Sequence, residues 1–282
     1  MTARTTPTER QKRLGYELRR MRTSAGISAE YAAGLLGVDR GAISAMESGT
    51  RAISTDRLRT LACNCSVTDE KHIAGLMTLA SPGRGWWDRY RGQLPQGFLD
   101  IAELEAHSTR MRGAFSVHMP GLLQTSDHAL AVFRMVIPAL PEDEVALRLA
   151  FRAARQQVLD GGGAAEFVAI VHEAALHMQF GGRAVLRAQL EHLLERSQQE
   201  NVTVRVLPFD AGGFPGAGQT VLYAEGPTRQ LDTVQVDNSH GPDFLYAEAQ
   251  LGKYRAHFEL LEKMALTPGE SRSFIHSIAS QL

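Results

Sequence analysis

The stretch GVDRGAISAMESG, Gly37 to Gly49, is the tightest constraint on what this chain can fold into. Ala32, Leu35 and Leu36 precede it on one helical face, and Gly37 stands where a helix can end in a left-handed turn at least steric cost. Two residues on, Asp39 can accept hydrogen bonds from the free amides of a new helix, Arg40 to Glu47, that stops at Ser48-Gly49. Ser28 is placed to cap the preceding helix in the same way. Two short helices joined by so tight a glycine turn form a helix-turn-helix.

The flanking sequence extends this unit to a bundle. Leu14, Leu18 and Met21 recur at i, i+4 and i+7, predicting an amphipathic helix from about residue 9 to residue 24 that ends at Ala25-Gly26. Thr55-Asp56 opens a fourth helix with Leu58 and Leu61 inside, and Thr68-Asp69 a fifth with Ile73, Leu76, Met77 and Ala80 on one face. The expectation is an all-α five-helix head over residues 1–80. SPGRGWW, Ser81 to Trp87, then breaks the helical pattern, so residues 81–98 read as a linker or seam. One of the two adjacent tryptophans can enter a core while its neighbour covers that seam.

Charge divides the chain at the same place. The net charge is −1 over 282 residues, yet Met1 to Ala62 carries 11 Lys+Arg against 6 Asp+Glu, and the remaining 220 residues carry 19 against 25. A basic head attracts phosphate and an acidic body repels it, although a merely solvated surface produces the same imbalance. With 44% hydrophobic residues the chain can bury a substantial core, and its length suits two domains. No run approaches the roughly 18 apolar residues of a membrane span, and MTARTTPTERQKR lacks the apolar stretch of a secretory signal. A cytoplasmic protein with no membrane association is expected. Cys63 and Cys65 are badly spaced for a disulfide, and with His72 they fall short of the about four ligands of a structural zinc site, so neither metal nor cofactor is expected.

The segments ELRRMRTSAGIS and AAGLLGVDRGAISAMESGTRAIS, with Gly37, Ile43, Ser44, Glu47 and Gly49 in register, resemble the XRE-type (lambda-repressor-like) DNA-binding domain. RGWWDRY, PGLLQTSDHALAV, RLAFRAARQQVL, VHEAALHMQFGG, NVTVRVLPFDAGGFPG and LTPGESRSFI look like the C-terminal half of actinobacterial regulators of the WhiJ-like, antitoxin-like group. The resemblance implies a transcriptional regulator whose third helix enters the major groove of a double-stranded DNA operator. Carried over position by position, it makes Ala29, Arg40, Gly41 and Ser44 base-facing, puts Ala42 and Ala45 close to the groove wall, and adds Ser28 and Asp39 at the helix starts. Relatives often carry Gln at the position of Ala29 and long polar residues at those of Ala42 and Ala45, which this chain lacks. Only Arg40 can make the bidentate guanine contact worth ~1–3 kcal/mol of discrimination, with Ser44 a minor contributor. Arg51, just past the helix, is expected to meet phosphate; a solvated loop arginine is the plainer alternative. One strong reading side chain is too little for a specific site, so a homodimer on a palindrome is expected.

From about residue 99 to 160 the pattern reads as helical, and then the period changes. AEFVAIV (165–171), VTVRVLPF (202–209), QTVLYAEG and DTVQVDN read as strands, 184–200 as a helix with Leu186, Leu190, Leu193 and Leu194 inward, and two helices close the chain. Residues 99–282 are therefore expected to form an α+β regulatory domain, a mixed sheet covered by helices. HEAALH, His172 to His177, is no zinc protease motif: on a helix four residues bring two side chains within about 40° of each other, whereas five leave them about 140° apart. FDAGGFPGAGQT fails as a phosphate loop because it lacks Gly-Lys-[Ser/Thr] and leads into a strand. With no nucleophile beside a base, an enzyme is not expected. The glycine-rich segment reads either as a simple strand connection or as a mobile loop for a ligand or partner. The second reading assigns Phe209, Gly212, Gly213, Phe214, Pro215 and Gly216 to an effector or a small neighbour-encoded protein. The competing function is an antitoxin-like interaction module that neutralises such a protein, with DNA binding secondary.

Overall fold

Five helices open the chain, and a side chain caps the N-terminus of each. α1 (Glu9–Ser24) is capped by Thr8 in reciprocal hydrogen bonding with Gln11, α2 (Ala29–Leu36) by Ser28, α3 (Arg40–Glu47) by Asp39, α4 (Thr55–Asn64) by Ser54 and α5 (Glu70–Ala80) by Asp69. Each cap satisfies an amide that helix geometry leaves open, worth about 1 kcal/mol. Gly37 closes α2 in the left-handed region at φ 61°, as its spacing predicts. The coordinates are a computed structural model that describes residues 7–81, 83–161 and 163–282. Pro82, one of the residues that break the helical pattern in the sequence, lies outside the described residues.

Two glycines bring the backbones of α1 and α3 together. A Cβ on Gly15 would lie 2.5 Å from the Glu47 carbonyl oxygen and 2.8 Å from that of Met46. A Cβ on Gly49 would lie 2.8 Å from the Gln11 carbonyl, at a φ of 77° that few other residues adopt. Beside this contact Arg22 on α1 grips Glu47 on α3 with two hydrogen bonds, Nε to Oε1 at 2.5 Å and Nη2 to Oε2 at 3.1 Å, and its Nη1 donates to the Ile27 carbonyl at 2.7 Å. Ile43 and Met46 of α3 then bury against Leu18, Met21 and Leu58.

The chain divides into two units. The first holds the described residues up to Leu104 together with Gly226–Asp232. It thus includes Trp87, which is buried, Trp86, which packs edge to face against it at 5.9 Å, and α6 (Gln96–Ala106) as far as Leu104. Gly226–Asp232 completes the core of the bundle: Leu231 joins its apolar cluster, Arg13 donates to the Gln230 carbonyl, and Gly75 leaves room for Leu231, whose Cδ1 would lie 2.5 Å from an added Cβ. Glu103 is buried with its Oε1 free of hydrogen bonds, and loss of solvent pushes its carboxyl up to about 7, only partly opposed by Arg10.

The second unit holds Glu105–Glu225 and Thr233–Leu282. Its six-stranded mixed sheet runs in the order β3 (Val202–Leu207), β2 (Glu166–His172), β1 (Arg110–Phe115), β4 (Val221–Glu225), β5 (Thr233–Asn238), β6 (Gly241–Leu245), with β1, β2 and β3 parallel and the remaining pairs antiparallel. One face packs on α10 (Arg183–Arg196) and α12 (Pro268–Ser280), the other on α11 (Glu248–Met264), so Phe167–Val171 of β2 are buried on both sides. α7 (Ser126–Arg134), α8 (Glu142–Gln156) and the short α9 (Glu173–His177) complete the unit. This is the expected α+β domain, with two strands, β1 and β6, beyond the four expected. Residues 99–160 are not helical throughout, because β1 runs through the middle of the sheet. Its Arg112 is buried, stacked over Tyr223 at 4.9 Å and Phe258 at 5.3 Å, so the strand breaks apolar alternation.

Both tryptophans of the chain lie in the first unit, so their fluorescence follows its unfolding selectively. Gly15→Ala is expected to lower its stability by about 1–3 kcal/mol in urea titrations, overpacking outweighing the ~1 kcal/mol that alanine gains in a free helix. Gly34→Ala on exposed α2, where an added Cβ meets nothing within 4 Å, should raise it. Equal effects at the two sites would refute the close α1–α3 approach.

Glu103 makes the same unfolding depend on pH. Because its folded pKa lies above the ordinary value, its contribution is fully present below about 4.5 and is lost as pH rises through about 7. Glu103→Gln should therefore gain on the parent from pH 5 to pH 8, by at most ~3 kcal/mol, and match its slope below pH 4. A constant difference across that range would contradict the buried carboxyl.

Candidate functional site

One face of α3 is turned away from the bundle. Arg40, Gly41 and Ser44 are exposed, as are Ser28, Asp39 and Arg51, while Ala29 and Ala45 are half-buried. Ala42 is placed differently: at 3% exposure it lies in the core with Ile43 and Met46, because positions 42, 43 and 46 form the inward stripe of the helix. Its side chain does not line a groove wall. What Ala42 contributes is its amide, held at 2.7 Å by Asp39 Oδ1. That carboxylate occupies the start of α3, where an anion would otherwise gather, so the amides there make a poor phosphate site.

Arg40 is engaged in the free protein. Its Nη1 lies 2.9 Å from Glu30 Oε1, with both side chains well exposed. An exposed pair of this kind is worth roughly 0–1 kcal/mol, less than the ~1–3 kcal/mol of a bidentate guanine contact, so the pairing does not withhold Arg40 from a base. Glu30 and the exposed Tyr31 next to it are neighbours of the exposed face of α3 that motif matching passes over. The only sequence signal for them is their place in the first turn after the Ser28 cap. Beyond α3, the Arg51 amide and Thr50 Oγ1 both donate to the Ala45 carbonyl, at 3.0 and 3.1 Å, which fixes the turn that carries Arg51.

In the second unit the glycine-rich segment connects β3 to β4, strands that are not neighbours in the sheet, so it crosses the carboxyl ends of β2 and β1. This route makes it a cover rather than a hairpin. Phe214 is tucked in, its ring 5.1 Å from that of His172, with only about 10 Å³ of space beneath, too little for an organic ligand. Phe209 remains 59% exposed, and Gly212, Gly213, Pro215 and Gly216 are exposed with it. His172 is not helical: it ends β2, its Nδ1 accepts the Ala174 amide at 3.1 Å to cap α9, and loss of solvent lowers its pKa. Gly216 presses on His257, whose Nε2 is buried without a hydrogen-bond partner. Cys63 and Cys65 are both free thiols, and no group of three or more His, Cys, Asp or Glu suited to a metal ion occurs among the described residues.

No helix among the described residues is long and apolar enough to cross a membrane. A family model described as Helix-turn-helix matches residues 18–70, which supports a DNA-binding regulator, a type that is typically not enzymatic. No curated protein and no solved structure matches the chain. A second family model, described as Domain of unknown function (DUF5753), matches residues 98–277, more than half of the chain. With an XRE-type helix-turn-helix ahead of that domain, the chain belongs to the DUF5753 family.

Proposed function

We propose that the protein is a sequence-specific transcriptional regulator in which α3 reads the major groove. The observation that carries this reading is the exposed face of α3, with Arg40, Gly41 and Ser44 outward on a helix capped at one end and gripped at the other. In this reading Arg40 takes a guanine edge, the small Gly41 and the methylene of Ser44 let the helix sit deep, and Arg51 meets a phosphate. Two copies act together, since one such arginine per molecule specifies too little sequence. The C-terminal unit receives a small protein partner or an effector. The exposed Phe209 on the crossing loop, rather than the packed Phe214, is the group such a partner would bury. The same feature suits the antitoxin-like alternative, in which that partner is the neutralised protein.

Duplexes selected from a randomised pool by the full chain, then titrated by fluorescence anisotropy, test this. The selected site is expected to be an inverted repeat with half-sites about 10 base pairs apart. Arg40→Ala should cost ~1–3 kcal/mol and relax the guanine preference at one position per half-site, Arg51→Ala should weaken all sequences alike, and Glu30→Gln should tighten binding. Unchanged affinity in Arg40→Ala would remove α3 as the reader.

A further inference from the structure

The first unit contains a cleft of about 680 Å³ between the first turns of α1, the segment after α3, and the end of α5 with the chain just beyond it. That volume falls within the roughly 300–1,000 Å³ of small-molecule sites. Its wall combines three kinds of group. Leu14, Ile53 and Leu79 supply apolar surface. Arg51 and Arg84 are exposed, and their side chains hold no hydrogen bond or ion pair among the described residues. The other two arginines of the wall are engaged, Arg10 with the Leu79 carbonyl at 3.2 Å and Arg91 with Asp88 at 2.6 Å. Glu103 also lines the cleft. It is more than nine-tenths buried, and its Oε1 has no hydrogen-bond donor, the Arg10 Nε standing 3.6 Å away.

We propose that this cleft binds a small amphipathic organic anion. Its anionic group lies between Arg51 and Arg84, whose planar forks suit carboxylate, sulfonate or phosphate. Its apolar body covers Leu14, Ile53 and Leu79. The site stands on the geometry of the first unit alone and does not depend on the DNA-binding reading. Where both hold, a bound anion and a DNA phosphate compete for Arg51.

8-Anilinonaphthalene-1-sulfonate, an aromatic sulfonate with an amine N–H, is a fitting probe for the full chain in the absence of DNA. Titration by fluorescence is expected to show one saturable site. Arg84→Ala should weaken it about tenfold, the loss of one charge-assisted hydrogen bond. Ala52→Trp, on the exposed wall of the cleft, should abolish it by filling the entrance. Both positions are exposed, and circular dichroism checks that each variant is folded. No saturable binding to the parent, or unchanged affinity in either folded variant, would overturn the proposal. Because no duplex is present, that failure is separate from a failure to bind DNA.

Discussion

The close approach of α1 and α3 through Gly15 and Gly49 is the contact on which the arrangement of the first unit rests. Side chains larger than hydrogen at either position would push α3 away from α1, and the displacement would be felt along all of a helix only eight residues long. The Arg22–Glu47 pair acts on the same end of α3. Each partner keeps only 12% of its side-chain surface exposed, and the hydrogen bonds to Glu47 raise the pKa of Arg22 further. Removing one partner would leave a largely desolvated charge, which costs more than the pair itself contributes. The C-terminal end of α3 is thus held by backbone contact and charge, and the N-terminal end by its cap and by the burial of Ala42 and Ile43. Arg40, Gly41 and Ser44 lie on the face opposite that buried stripe, which leaves them exposed.

The helices of the first unit were legible because their signals are local. Ser28, Asp39 and Asp69 stand where they cap, Gly37 stands where it must be left-handed, and the apolar spacings of α1 and α5 have one period. What depends on partners distant in sequence was not legible. Gly15 looks like an ordinary, slightly unfavourable helix residue until Glu47 is placed beside it. The seven residues Gly226–Asp232 carry no sign that Leu231 belongs to the core around Leu58 and Leu76. The burial of Ala42 is hidden for a related reason. In a short helix with alanines at 42 and 45, composition does not reveal which one faces inward, and only Ile43 and Met46 fix the stripe.

β1 and β6 of the second unit show what obscures a sheet in a sequence. β1 is six residues long and carries Arg110, Arg112 and Gly113, so neither apolar alternation nor β-propensity marks it; the aromatic faces of Tyr223 and Phe258 make a buried Arg112 tolerable. β6 contains Pro242 and Asp243, which suit it to the edge it occupies and hide it from a propensity reading. β2, buried on both faces, was the easiest to see because nothing polar interrupts Phe167–Val171. The glycine-rich segment was recognised as unusual from its composition, but its path over β2 and β1 follows from strand order, which no local pattern encodes.

Whether the clamped α3 meets DNA is decided most directly by amide hydrogen exchange of the full chain with and without a duplex it has selected. The account predicts new protection over Arg40–Ala45 and at Thr50-Arg51, with the already buried contact around Gly15 and Met46 unchanged. Protection confined to other elements, with α3 exchanging as in the free protein, would contradict it.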